Sequence, residues 1–401
     1  MYHMRITFLI LGVILLAIGC RDVRFNGIPK EYDDLLIAAL DKSGQNRMEL
    51  ETALTSCPAG QKEGMAFLIA YMPERDLEVL SSGFLLENVA IAYRARETFA
   101  WARELPDSLF FNDVLPYASL NENRDNWRHD FYTRFSKYVT GAPDVLAAID
   151  SVNQHIRDEV LVDYNTRREK PDQSPYESMR QGMASCSGLS ILLTDAFRAV
   201  GIPARIVGTP NWHDKRGNHN WNEVYANGQW YFTEYYPSGL NKSWFLADAG
   251  LANPDDPETS IYASSWKTTG LYFPLVWDLD IHYVPGINVT TRYIQLYEAE
   301  KALEAAQGNK VILEVAMYRN NSCSLQGDQR IEANVDIFCG EEQVGGGRTS
   351  GPLNDLNDLL TFYVDKNKTF TLRYVNEKGI TKAVDVPVGS EKASVRLFWE
   401  D

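Results

Sequence analysis

Five cysteines in a chain of 401 residues are too few and too scattered for a disulfide framework. None is needed, because a chain of this length buries sizeable hydrophobic cores unaided. Histidine is also scarce, and no His/Cys cluster has the ligand spacing of a metal site. Asp255-Asp256-Pro257-Glu258 is acidic but lacks the EF-hand spacing, so it reads as an exposed turn. No spacing singles out a pair of carboxylates of the kind a glycoside hydrolase sets across a cleft. There is no internal repeat and no low-complexity run. Positive charge is short as well: 39 Lys and Arg against 54 Asp and Glu leave a net charge of −15. That balance excludes nucleic acid as a partner and an electrostatic hold on anionic surfaces.

Long apolar runs are missing too. The longest starts after Arg5, from Ile6 to Ile18, and falls short of the roughly 20 residues a spanning helix needs. It ends in Leu16-Ala17-Ile18-Gly19-Cys20, which reads as a secretory signal with a lipoprotein-type end. Residues 1–20 are then a signal peptide, and Cys20 becomes the lipidated first residue. This implies a lipid anchor to the membrane and a body in the cell envelope, periplasmic or surface-exposed.

Among what is present, Cys186 stands out. It follows Gly182-Met183-Ala184-Ser185 and opens a segment in which Leu189, Leu192, Leu193, Ala196, Phe197 and Val200 recur at helical spacing. Gly201 and Pro203 stop that helix. A cysteine at a helix N-terminus meets unpaired backbone N–H groups and the positive end of the dipole, both of which favour thiolate. Alone, Cys186 reads first as a small buried hydrophobe, as most free cysteines do.

The next segment changes that balance. Gly217 through Tyr225 reads as a strand, Asn227-Gly228 is a strong hairpin turn signal, and Gln229 through Glu234 is the returning strand. A two-residue loop sets Tyr225 opposite Trp230 and Trp221 opposite Glu234. His219, Trp221 and Glu223 then share a face with Trp230, Phe232 and Glu234. His219 and Glu234 become diagonal neighbours, within side-chain reach. An acid there orients an imidazole that serves a nucleophile, so Cys186, His219 and Glu234 form a candidate catalytic triad. Glu223 lies on the same face but further from His219, opposite Phe232.

These residues resemble the transglutaminase-like core, a subgroup of the papain-like thiol enzymes. The resemblance rests on Cys186 opening a helix, on Ala199-Val200-Gly201-Ile202-Pro203-Ala204-Arg205, on His219-x-Trp221-x-Glu223-Val224, and on Trp230 through Glu234. It covers about residues 140–290. Gly208-Thr209-Pro210-Asn211-Trp212, Leu240 through Phe245 and Phe273-Pro274-Leu275-Val276-Trp277 are similar to a bacterial lipoprotein branch. The resemblance implies Cys186 as nucleophile and His219 as base, with Glu234 where the family more often has aspartate. It implies acyl transfer on peptide amides, by hydrolysis or transamidation, with no cofactor and no metal. Cleavage of a glycan–asparagine amide is a related variant. Implied substrates are peptides, proteins or glycopeptides. Gln181 is a candidate oxyanion donor beside the Cys186 N–H, and Trp212, Trp221 and Trp244 are candidate walls of the acyl cleft. The competing reading is a non-catalytic envelope protein that binds peptide or glycan on the same scaffold.

The expected class is α+β: a mostly helical region over 21–140, a papain/transglutaminase-like core with antiparallel sheet over 141–307, and a C-terminal β-sandwich over 308–401. Leu35–Leu40, Ala66–Met72 and Leu85–Ala102 carry the helical spacing, broken by Pro58, Pro73 and Pro106. Trp127-Arg128-His129-Asp130 reads as the start of an amphipathic helix, followed by a helix over Val145–Val160 and a polar loop over Asn165–Tyr176. Val311–Tyr318, Ile331–Phe338, Leu359–Val364, Thr369–Val375 and Ser394–Phe398 read as short strands of a prealbumin-like or immunoglobulin-like module. Cys57 reads as an inert thiol, and pairing of Cys323 with Cys339 stays open.

Overall fold

Prolines set the helix starts in the first third of the chain. Pro58, Pro73 and Pro106 each precede a helical segment, where a missing N–H costs nothing. The computed structural model describes residues 25–400 except 214, 216, 238, 308, 322–328 and 356, so Cys20 and Cys323 lie outside the described residues. Helices Asp33–Lys42, Arg47–Ser56, Lys62–Tyr71 and Ser82–Thr98 pack around Leu36, Leu50, Leu54, Met65 and Leu68. The helical spacing expected through Ala102 is interrupted at Phe99, whose backbone is extended (φ −97°, ψ 132°), and a short turn Ala100–Arg103 follows. No helix among the described residues is long and apolar enough to cross a membrane.

Helix Arg128–Val139 joins this layer to the middle of the chain. Its first residue is not a solvated start. Arg128 is 1% exposed, and its guanidinium donates to Asn88 Oδ1 at 2.6 Å and to the carbonyls of Val114, Leu115 and Pro116 at 3.0, 3.1 and 2.7 Å. Arg198, equally buried, donates to the carbonyls of Asp113, Ala118 and Ala204. Arg198 belongs to helix Cys186–Ala199, which packs on helices Arg128–Val139 and Val145–Val160 through Leu192, Leu193 and Phe197. Two buried cations thus fasten the connecting segment to the helix that carries Cys186. Burying a charge is tolerable only when its donors are satisfied, as here.

Next to that helix lies a six-stranded antiparallel sheet. In spatial order its strands are Gln229–Thr233, His219–Ala226, Ala204–Thr209, Tyr262–Ser264, Pro285–Asn288 and Leu271–Tyr272. Asn227 (φ 50°) and Gly228 (φ 86°) both take the left-handed conformation that a tight hairpin with the strands' own twist requires. Tyr225 accordingly pairs with Trp230, Glu223 with Phe232 and Asn222 with Thr233, the register expected from the turn. The far side of the sheet packs on Phe245, Leu246 and Tyr293. Trp266 reaches back to the first helical layer, edge-on to Tyr117 and donating to the Leu68 carbonyl.

The α+β class is what the structure shows, with the C-terminal strands forming two facing sheets. One holds Glu342–Arg348, Asn334–Cys339, Lys368–Val375 and Thr381–Val388; the other holds Leu360–Asp365, Lys310–Tyr318 and Ala393–Phe398. Between them lie Leu313, Val315, Val335, Ile337, Phe370 and Leu372. Two strands carried no sequence signal. Gly345, Gly346 and Gly347 make the first read as turn, and Pro387 marks the second; both sit at sheet edges, where such residues are tolerated. Lys392 ties this module to the core, 2.7 Å from Glu314 and 3.6 Å from Asp248, beside an open cleft of about 1200 Å³.

Replacing Arg128 with Met should destabilise the helical layer by about 3–5 kcal/mol, because Asn88 Oδ1 and the carbonyls of Val114 and Pro116 lose the guanidinium that donates to them. Urea unfolding followed by far-ultraviolet circular dichroism measures this. A loss below about 1 kcal/mol, the size of a surface change, would contradict the fastening role.

Candidate active site

The thiol is placed by a capped helix start. Gly182 (φ 63°) ends the short helix Pro175–Gln181, and Met183–Ala184 forms a two-residue parallel ladder with Asp163–Tyr164. Ser185 then caps the next helix: its Oγ accepts the Gly188 N–H at 3.1 Å and donates to the Pro171 carbonyl. Cys186 is the first helical residue and is partly exposed.

The histidine strand docks on this helix through asparagines. Asn220 donates to Ser187 Oγ at 2.7 Å, and Asn222 donates to the Ser190 carbonyl and Thr194 Oγ1, both at 2.8 Å. Gly208 on the neighbouring strand leaves room for this, since a Cβ there would lie 1.9 Å from Asn220 Oδ1. These alternate positions face the helix, so His219, Trp221 and Glu223 face the other layer. Helix and strand still meet at their N-terminal ends. Cys186 Sγ, a His219 ring nitrogen and a carboxylate oxygen of Asp355 all lie within 4.8 Å of one another.

His219 is 6% exposed. Its Nε2 lies 3.5 Å from Glu234 Oε2 and its Nδ1 3.9 Å from Asp355 Oδ2. Neither nitrogen makes a hydrogen bond of normal length. Burial pulls the imidazole's pKa down, but the Cys186 thiol and the Glu234 and Asp355 carboxylates outweigh it and carry the value up to about 10. Glu234 is itself anchored, accepting at Oε1 from the Ser243 hydroxyl, while Asn153 donates to its backbone carbonyl at 3.1 Å. Glu223, the other acid on this face, is spent elsewhere. It is fully buried, 2.7 Å from the Arg205 guanidinium, and accepts from Tyr293 Oη.

The three tryptophans surround the imidazole. Ring centres of Trp244, Trp221 and Trp212 lie 5.1, 5.8 and 6.0 Å from that of His219. Trp212 and Trp221 are fully buried, so they shape the pocket around the base, and only Trp244 keeps a partly open edge. Gln181 is engaged by a neighbouring acid. Its amide bonds both the backbone N–H and the carboxylate of Glu169. Tyr164 feels the same site, its phenol held neutral well above its usual pKa by burial and by the charges of Asp355 and Cys186. His213 stands apart, 3.9 Å from Asp248 in the cleft beside the C-terminal module, and His282 lies against Tyr272.

Asp355 is the residue that sequence reasoning missed. It comes from the loop between strands Glu342–Arg348 and Leu360–Asp365 of the C-terminal module. Arg330, buried, clamps that loop by donating to the carbonyls of Asn354, Asp355 and Asp358. Asp355 Oδ1 accepts from the backbone and side-chain N–H groups of Asn357, which leaves Oδ2 for His219. Asn357 also reaches the Asn218 carbonyl at 3.5 Å, next to His219 in sequence. The docking role of Asn220 and Asn222 was also missed, although asparagines at alternate positions of one strand are a legible sign of polar docking.

Residues 133–235 match the family model described as the transglutaminase-like superfamily. No curated protein matches the chain. Among solved structures, a candidate cysteine protease from Cytophaga hutchinsonii is similar at 18% identity and a TM-score of 0.27, over 37% of this chain and 50% of that one. Red sea bream transglutaminase is similar at 9% identity and a TM-score of 0.32, over 72% of this chain and 64% of that one. The chain therefore spans half the length of the first and just under two thirds of the second.

The imidazole should stay protonated through neutral pH and titrate near 10. Its folded value exceeds the ordinary 6.5, so the stability it contributes is fully present below 6.5 and is lost as pH rises through 10. Ring-proton NMR of His219, with His219→Gln for assignment, reads the midpoint. A midpoint at or below 6.5 would show that the acids and the thiol do not act on this ring.

Proposed function

Residues 133–235 belong to the transglutaminase-like superfamily, and on that premise we propose that the chain is a thiol acyl-transfer enzyme acting on peptide amide bonds. The observation that supports this reading most is the shared neighbourhood of Sγ and imidazole, with Glu234 beside Nε2. The Cys186 thiolate attacks the amide carbonyl, and the carbon–nitrogen bond breaks as the imidazolium of His219 gives its proton to the leaving amine. The resulting thioester passes its acyl group to water or to a second amine. Glu234 holds the ring in place and stabilises its charged form. The Cys186 N–H and the neutral Tyr164 hydroxyl are the candidate donors for the developing oxyanion. One such donor is worth on the order of 3 kcal/mol of barrier.

The proposed setting is the cell envelope, with Cys20 as lipid anchor and peptides, proteins or glycopeptides as substrates. Support for that setting comes from the apolar run and its Leu16-Ala17-Ile18-Gly19-Cys20 end alone.

Thiol reactivity separates the proposed nucleophile from the other described cysteines. Burial raises the Cys57 thiol to about 11, so it is almost wholly protonated near neutrality. Iodoacetamide should therefore modify Cys186 roughly tenfold or more faster than Cys57, and His219→Ala should slow that labelling. Equal rates would sink the activated thiolate.

The reaction itself is tested by mass spectrometry of Cys186 after brief incubation with a mixed peptide and glycopeptide pool. A mass increment on Cys186 that hydroxylamine removes identifies the acyl donor. Glu234→Gln should lower turnover of that donor by roughly 10²–10⁴-fold, the range for loss of acid–base assistance. Absence of any acyl increment across the pool, with Cys186 reactive to iodoacetamide, would count against amide chemistry.

A further inference from the structure

The C-terminal module brings a carboxylate to the thiol. Asp355 completes a set of three different donors, namely a thiolate sulfur, an imidazole nitrogen and a carboxylate oxygen, drawn from two parts of the fold. We propose that Cys186, His219 and Asp355 bind Zn²⁺, and that the ion silences the thiol while it pins the loop of the C-terminal module onto the core.

Four observations carry this. The first is spacing. Zinc bonds of about 2.0–2.3 Å place tetrahedral ligand atoms roughly 3.3–3.8 Å apart. The three donors already lie within 4.8 Å of one another, and Nδ1 and Asp355 Oδ2 are 3.9 Å apart. Side-chain rotations of about 1 Å close the gap. The second is the imidazole. It is almost wholly buried, neither nitrogen has a hydrogen bond of normal length, and Nδ1 is the nitrogen turned toward Asp355.

The third is the opposite nitrogen. Nε2 faces Glu234, which Ser243 holds, so the carboxylate keeps a proton on Nε2 and Nδ1 is the nitrogen that gives up its proton to a metal. A carboxylate behind a ligating histidine is the usual outer support of a zinc site. The fourth is the rigidity of Asp355. Arg330 clamps its loop and Asn357 occupies Oδ1, so Oδ2 is presented in one direction.

Sulfur and imidazole together select zinc over hard cations such as calcium and magnesium. The partly exposed thiol leaves a fourth position for water. Binding displaces the single proton that thiol and imidazole share, and no electron moves. The sulfur lone pair is then committed to the metal and cannot attack a carbonyl. This inference uses the residues of the proposed thiol chemistry, yet its test needs no substrate.

The test is titration of the purified full-length chain with Zn²⁺ against a chromophoric chelator, alongside Co²⁺ absorption spectra. One equivalent of Zn²⁺ should bind, and Co²⁺ should give a near-ultraviolet sulfur-to-metal charge-transfer band. Cys186→Ser should abolish the band. Asp355→Ala, or Asp355→Asn where the alanine variant fails to fold, should weaken Zn²⁺ binding roughly tenfold or more. Glu234→Gln should weaken it by roughly 10–100-fold, whereas Cys339→Ser should leave it unchanged. Failure to compete with the chelator overturns the proposal. So does binding that survives both Cys186→Ser and the Asp355 variants. Either failure, alongside fast labelling of Cys186 by iodoacetamide, leaves the acyl-transfer reading standing and removes only the metal.

Discussion

Side-chain alternation along one hairpin governs this molecule. Two residues in the left-handed conformation, Asn227 and Gly228, fix which position faces which across the strands. A slip of one residue would turn His219 toward the helix and push Asn220 out among the tryptophans. The polar bonds from Asn220 and Asn222 to the cysteine helix and the aromatic packing of Trp221 on Phe245 hold the two faces apart. The register is thus overdetermined, and the base inherits its surroundings from it.

Those surroundings are mostly hydrocarbon and indole, which by themselves disfavour a charged ring. The site works against that tendency with three polar neighbours: a thiol, a glutamate and an aspartate. The two carboxylates stand 3.5 and 3.9 Å from the ring nitrogens, where attraction persists without a single locked partner. Glu223 shows the contrast. It is as close in sequence to His219 as any acid, but Arg205 and Tyr293 satisfy it completely and it serves the sheet instead. Which of two glutamates on one face is left beside the imidazole is decided by the cation next to it.

Much of the centre was legible in the sequence because its determinants are local. A cap, a helical repeat and a tight turn lie within 50 residues of Cys186, and each obeys short-range rules. What stayed hidden depends on distant backbone. Arg128 looks like a surface residue at a helix start, because the carbonyls that accept from it belong to Val114, Leu115 and Pro116, in a segment with no regular repeat. Asp355 sits in a loop of a separate module, and nothing periodic announces that loops from one sandwich end reach a histidine in another part of the chain. Gln181 lies close to Cys186 in sequence, yet what its amide bonds, Glu169, is set by the loop before it and not by the helix start. The glycine triplet at 345–347 hid an edge strand, because the residue type that usually marks a turn also fits a sheet margin.

The order of these residues along the chain has a consequence for biosynthesis. A ribosome releases Cys186, His219 and Glu234 well before Asp355, and domains generally fold as units in order of emergence. Through that interval the imidazole has one carboxylate beside it instead of two, and the thiol lacks the loop that later stands over it. Assembly of the centre is therefore a late event, timed by the docking of the final module. Truncation between the core and that loop would yield a chain with Cys186 in place and its neighbourhood unfinished.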